Sequence, residues 1–596
     1  MVAEGIRADA GDPAGAVAGA GEGAGDVGLG AADAAFEEGH VGEPPGFGGH
    51  EGDHGFAEAD DVGARSAGPG AVRRAGALRR VTAVRRVGAI GAVVLGRGHD
   101  LLHSFAYGLV EPFRDVLRTI DPAMARMLDS CKRYAQWVLH TVQHDLEEAP
   151  MAAAPHADRS ATGAASGADA ATAARHARTL ADERVDHRFK GLPPDADGRT
   201  VGELAAERRN LFTGGFTTPV LALSAESLEH NLALLESYAE RHGLAFAPHG
   251  KTSMAPQLFA DQLAHGAWGI TAAVPHQARV YRAYGIQRIF LANEVVDAVA
   301  LRWLAAELDA DPGFRCVCYV DSLRGIELMD AALREAGATR PLDVVIELAA
   351  GEGARTGVRT DAECFELADA VAGVDTLRLV GIAGYEGEVP DATHERVTAW
   401  LRRLLALTVS FDRTGRFADL EEIVLSAGGS AWFDAVAEVF AEAPELSRPL
   451  LKLLRSGAYV SHDDGHYRRI TPFNRVPDEG ALRPAFRLWA QVVSRPTPEQ
   501  AFLNAGKRDA AYDLDLPQAQ VVRSGRDGGE RPADGITVTG LSDQHAWVRT
   551  ERGDALEVGD WVGLGLSHPC TSFDKWQLIP VAEADGTVVD YVRTFF

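Results

Sequence analysis

Lys251 sits in the turn of LAFAPHGKTSMAPQLFADQLAHG, between an apolar run at 244–248 and a helical pattern over 254–265. A lysine at the C-terminal end of a buried strand is partly desolvated, which lowers its pKa and frees the neutral amine to attack a carbonyl. A lysine paired with a surface carboxylate fits the same place, and position alone leaves both readings open. Arg355 follows a later apolar run, in the glycine-rich loop AAGEGARTGV. It can hold a phenolic oxygen or a carboxylate, or close an ordinary loop salt bridge. Tyr385, in GIAGYEGEV, can stack on a ring or hydrogen-bond to it, or serve as a core tyrosine. In SAGGSAWF, residues 426–433, the backbone amides of Gly428, Gly429 and Ser430 precede a helix and can cradle a phosphate, although a plain tight turn has the same composition. Gly457 and Tyr459 end the next apolar run, in SGAY.

A second group lies near the C-terminus, in LSHPCTSFDKW. His568 and Cys570 are two residues apart, so in an extended segment both side chains point the same way. Imidazole with thiolate is a zinc-preferring pair, and two protein ligands leave positions open for water and substrate. A buried cysteine beside a turn histidine is the plainer alternative. Cys316 and Cys318 share that spacing but lie inside an apolar strand with no histidine near in sequence, and read as core. A rim lysine joined to a phosphate cradle on one fold indicates pyridoxal phosphate.

The elements that must gather these residues start at Thr217. TTPVLALS reads as a lead-in strand whose Ser224 can cap a helix carrying Leu228, Leu232, Leu235 and Tyr238 on one face. Eight further strand-like runs alternate with amphipathic helices: LAFAP, WGITAAV, RIFLANEV, RCVCYVD, LDVVIELA, LRLVGIAGY, EIVLSAGG and LLKLLRSGAYV. Continuous apolar runs of this kind mean burial on both faces, hence a parallel sheet. Eight repeats suit a (β/α)8 barrel over residues 175–485, with its site at the strands' C-terminal ends; a doubly wound open sheet is the alternative. From residue 486 to 596 short strands separated by Gly/Asp turns predict an antiparallel β domain.

Composition bounds the partners. A formal charge of -26 argues against nucleic acid and anionic lipid, which need clustered positive charge. Five scattered cysteines make a disulfide framework improbable and fit a reducing, cytoplasmic setting; no apolar run is long enough to cross a membrane as a helix. Residues 1–174 read as a low-complexity extension. Gly/Ala-rich, acidic sequence to about residue 70 is expected to be disordered. Seven arginines in 71–97 form a solvated tail or a polyanion contact, RRVGAIGAVVLG resembles a misplaced leader, and one or two helices are expected within 99–148. There His140 and His144, one helical turn apart, read as a solvated face rather than a metal site. Residues 151–174 read as a small-residue linker. The extension is expected to be dispensable, or to reflect a start codon placed too early, so that a chain beginning near Arg175 keeps full activity.

The ordered set PHGKT, GARTGV, GYEG, AGGS, SGAY and GDWVGLGLSHPCTSFDKW resembles the fold-type III pyridoxal-phosphate enzymes, in the D-serine dehydratase and D-threonine aldolase branch with an alanine-racemase-like barrel. The resemblance covers residues 200–596. It implies pyridoxal 5'-phosphate bound through Lys251, with its phosphate held by Gly428, Gly429, Ser430, Gly457 and Tyr459. It also implies Zn2+ at His568 and Cys570, a D-amino acid substrate and a head-to-tail homodimer. Lys251 would remove the substrate's α-proton, Tyr385 would work beside the ring, and water and ammonia would leave to give a 2-oxo acid. Aldol cleavage is the alternative outcome; an amino-acid racemase or a non-catalytic pyridoxal-phosphate protein are further ones. Ala247, Ser253 and Ala458 stand where this branch often has arginine, histidine and serine.

Overall fold

A computed structural model describes residues 160–596 apart from position 554, with side chains from Gly167 onward. The expectations for the acidic front, the arginine run, the leader-like stretch and the 99–148 helices lie outside the described residues.

The first strand, β1 (Val220–Ser224), is followed by the expected helix Ala225–Arg241, whose N-cap Ser224 accepts from the Ser227 amide and whose Leu228, Leu232, Leu235 and Tyr238 are buried. Then come β2 (Ala245–Phe246), β3 (Ile270–Ala272), β4 (Arg288–Glu294), β5 (Arg315–Val320), β6 (Leu342–Leu348), β7 (Leu377–Gly384), β8 (Ile423–Ala427) and β9 (Leu450–Leu454). These pair in parallel in the order β2-β9-β8-β7-β6-β5-β4-β3. A parallel bridge between His249 and Thr271 joins the two edges, which gives the barrel and not the open sheet. Period-two alternation sorts the side chains. Asp343 pairs with Arg315 and Arg378 low in the barrel, so Arg315, Val317, Tyr319 and Asp321 share the interior face, as do Asp343, Val345 and Glu347. Cys316 and Cys318 are buried, as the core reading expects, and burial pushes the Cys316 thiol up to about 12.

The second sheet comprises β10 (Phe486–Thr497), β11 (Gln500–Leu503), β12 (Gln518–Arg523), β13 (Glu530–Pro532), β14 (Ile536–Leu541), β15 (Ala546–Thr550), β16 (Trp561–Gly565), β17 (Leu578–Ala582) and β18 (Val588–Arg593). Its pairs are antiparallel apart from β1 with β17. The lead-in strand therefore belongs to this sheet: β1 lies between β10 and β17, with four of its five residues buried. Val185, Phe189, Leu204 and Leu211 pack with Val220, Trp489 and Tyr591 in the same apolar cluster. The chain thus contributes β1 to the second sheet, makes the barrel and returns, which places the C-terminal loops beside the barrel mouth.

Residues 160–178, where the composition suggests a linker as far as 174, form a helix. Alanine has the highest helix propensity, and the small side chains let this helix pack closely on Pro256–Ala264. Ala173 and Ala177 are buried, Asp169 pairs with Arg288 at 3.4 Å, and His176 packs where a Cβ on Gly285 would stand. No helix among the described residues is long and apolar enough to cross a membrane.

Candidate active site

Lys251 stands on a single 3-10 turn, Gly250–Thr252, directly after β2. Two close approaches fix that turn. A Cβ on Gly250 would meet the Tyr281 hydroxyl at 2.6 Å, and one on Gly457 would meet the His249 carbonyl at 2.6 Å and Thr252 Oγ1 at 2.9 Å. The Lys251 side chain opens to solvent at the barrel mouth but is flanked by protein, and its pKa lies below that of an ordinary lysine. Desolvation is the main cause; Arg355 and Arg455 add to it, while Cys570 opposes it. Beneath the turn, burial and the charges of Lys251 and Arg455 keep His249 neutral, with Nδ1 unpartnered among the described residues.

The loop from the second sheet reaches this turn in the same chain. The short helix Cys570–Phe573 packs on Gly250–Thr252, and Cys570 Sγ lies 3.5 Å from Thr252 Oγ1. His568 and Cys570 do come together, but not by strand alternation. His568 has φ of 53°, a left-handed turn that leads straight into the helix. Asp463, almost fully buried, fixes that turn by accepting the His568 amide at 3.0 Å and the Gly465 and Arg468 amides at 3.1 Å each. Asp513 binds His568 Nδ1 at 2.5 Å, so Nε2 is the nitrogen left for Cys570 or a metal. Hydrogen bonding to Cys570 is the main cause that raises the imidazole pKa to about 9, with the Cys570 and Asp513 charges adding to it against desolvation.

The predicted phosphate turn is partly occupied from within. Buried Glu386 accepts the Gly428 amide at 2.8 Å and the Gly429 amide at 2.5 Å, so these two glycines already hold an anion. The amides of Ser430, Gly457 and Ala458 make no hydrogen bond to another described residue, and Ser430 and Ala458 line one cavity with Ser456, His462 and Tyr467. The amide donors left for a phosphate are therefore those of the second half of the turn and the SGAY loop. Tyr459 lines the same cavity; it is buried and packs edge-on against Phe246 at 5.2 Å.

Tyr385 is 38% exposed, so it is no core tyrosine. Its ring lies where a Cβ on Gly429 would meet it at 2.7 Å, and burial of the hydroxyl, with Glu386 and Glu388 nearby, pushes its pKa up to about 12. The Arg355 side chain forms the loop salt bridge, to Glu388, while its amide donates to the same carboxylate at 3.0 Å. Its charge still acts on Lys251 and Tyr385.

Arg455, 5% exposed, donates to the Gly384 carbonyl at 2.7 Å and to Ser426 Oγ, and its charge acts on Lys251, His249 and Tyr385. Sequence reasoning passed over it although it ends an apolar run, the same signal that singles out Lys251. Glu386 directly follows Tyr385, and Asp463 lies in SHDDGH; Asp513 has no local signal, being 55 residues from its partner. The amine, the free amides, the arginine and the exposed tyrosine face fit pyridoxal phosphate. The imidazole and thiolate, oriented by Asp513, fit a thiophilic metal.

Comparison with known proteins agrees. Residues 223–441 match the family described as "Alanine racemase, N-terminal domain", and residues 485–582 match "Putative serine dehydratase domain". D-threonine aldolase of Arthrobacter sp is 30% identical over 377 residues, 63% of this chain and 90% of the relative. D-threo-3-hydroxyaspartate dehydratase of Delftia sp. is 28% identical over 404 residues, 63% of this chain and 97% of the relative. The crystal structure of D-threonine aldolase from Filomicrobium marinum superposes with a TM-score of 0.54 at 26% identity, covering 64% of this chain and 95% of that one. The chain belongs to the fold-type III pyridoxal-phosphate family, in the branch that joins an alanine-racemase-like barrel to a serine-dehydratase-type C-terminal domain.

Proposed function

We propose that the protein is a pyridoxal-phosphate- and zinc-dependent lyase that removes water and ammonia from a β-hydroxy D-amino acid to give a 2-oxo acid. The observation that carries the reading is the 3.5 Å approach of Cys570 Sγ to Thr252 Oγ1, which puts the metal pair next to the lysine turn. The D-configuration is supported by the names of the relatives.

Bound at Lys251, pyridoxal phosphate supplies an electron sink for the bonds at the substrate's Cα. This chain's residues do the rest. Desolvation favours the neutral amine of Lys251 relative to an ordinary lysine, and its Nζ would take the α-proton. Ser430, Gly457 and Ala458 offer amides to the phosphate. Arg455 anchors the strand ends of β7 and β8 beneath the site, and Tyr385 shields one side from water. His568 and Cys570 would hold the metal, which would supply Lewis acidity toward a β-hydroxyl.

Aldol cleavage is the second reading, favoured by the 30% identical D-threonine aldolase. Product analysis separates the two. Pyruvate from D-serine and 2-oxobutyrate from D-threonine, both lost with a chelator, are expected; glycine plus an aldehyde establishes cleavage, and no product from either substrate overturns the lyase reading. A cytoplasmic homodimer completes the proposal, supported by the scattered cysteines and the family resemblance and tested by sedimentation.

A further inference from the structure

Three carboxylates meet at the top of the barrel interior, on strand ends that the mechanism above does not use. Glu294 ends β4, Asp321 follows β5 and Glu347 lies near the end of β6, with one ligand oxygen of each within 4.8 Å of the other two. A cation with oxygen bonds of about 2.3–2.6 Å can bridge oxygens up to about 5 Å apart, so one ion can reach all three. Three carboxylates this close repel one another, and a cation between them would relieve that repulsion.

A separate observation points to a missing partner. The Tyr319 hydroxyl, in the layer below on the same interior face, is 2% exposed and has no hydrogen-bond partner among the described residues. Tyr319 pairs in register with Glu294, and Glu347 and Glu294 both oppose its ionisation, which places the phenol against the cluster. Glu347, 7% exposed, likewise keeps Oε2 unpartnered. Buried polar atoms seldom go unpaired, and here two of them face one acidic group.

We propose that Glu294, Asp321 and Glu347 bind one hard divalent cation of the magnesium, calcium or manganese class, at a site separate from His568 and Cys570. All of its charged ligands are oxygens, which selects hard cations, whereas the imidazole-thiolate pair selects zinc-like ones. Arg455 faces the cluster without joining it, its guanidinium being committed to Gly384 and Ser426. The cation would neutralise the charge the cluster concentrates.

The test uses the full-length holoenzyme carrying Cys570→Ser, which removes the thiolate site, and follows Mn2+ by electron paramagnetic resonance. One Mn2+ per chain should be taken up, and adding Glu347→Gln should weaken that uptake at least tenfold. Asp321→Asn, at a more open position, should do the same and covers the case in which the Glu347 variant fails to fold. Absence of Mn2+ uptake by the Cys570→Ser protein at millimolar concentration, meaning that the acids only share protons, overturns the proposal. So does uptake that neither carboxylate change reduces.

Discussion

Two groups of potential metal ligands flank the barrel mouth, and they are built in opposite ways. His568 and Cys570 lie on a loop from the second sheet, partly open to solvent, with Asp463 fixing the backbone and Asp513 the imidazole. Glu294, Asp321 and Glu347 stand on the barrel's own strand ends, and two of their oxygens lack any donor among the described residues. The first group has its orienting partners in place; the second has the charge and lacks the partner. A soft, oriented pair suits a metal that must act on substrate. A buried oxygen cluster suits a cation that neutralises and holds.

The largest effect should come at the lysine between them. Lys251→Ala should abolish the cofactor's visible absorbance and cost about 10²–10⁴-fold or more in kcat, the range for removing a general base. It should leave metal uptake at both groups intact. If the absorbance survives, Lys251 is not the cofactor lysine and the two groups lose their common reference. Next in size, Asp513→Asn should weaken zinc about 10–100-fold, the usual cost of losing an orienting carboxylate. Activity should return with excess zinc, while Mn2+ uptake at the acidic cluster stays unchanged. Unaltered zinc affinity would show that the His568 ring is held without Asp513.

The same contrast explains what the sequence made legible. The eight barrel strands were readable because apolar residues dominate each of them, and the Lys251 turn because a lysine closes one such run. The His568–Cys570 pairing was readable by proximity alone, and its geometry was not: a left-handed turn at a non-glycine residue is fixed by Asp463, which is 105 residues away. Glu386 escaped notice because a carboxylate at the amides of Gly428 and Gly429 depends on β7 and β8 being neighbours. The acidic cluster was illegible for the same reason, since Glu294, Asp321 and Glu347 each look like an isolated strand-end acid. The assignment of β1 to the second sheet likewise depended on β10 and β17, both more than 260 residues further on.

The smallest effect supplies a control for the cluster. Asp261, on the helix Pro256–Ala264, is pushed up to about 6 by desolvation and by the charge of Asp590, whose own pKa is raised by burial. Here Asp590 is the main opposing charge, with His265 and Glu229 acting more weakly in opposite directions. In the folded chain Asp261 keeps its proton above the ordinary aspartate value of 3.8, so the unfolded chain releases a proton first as pH rises. Stability should therefore fall modestly between about pH 4 and pH 6 and then level off. Asp261→Asn should remove that portion of the fall in a Tm-against-pH series, and Mn2+ should have no influence on it. A Tm rise with Mn2+ that disappears in Asp261→Asn would place a cation at this pair, and the barrel cluster would lose its standing as the separate cation site.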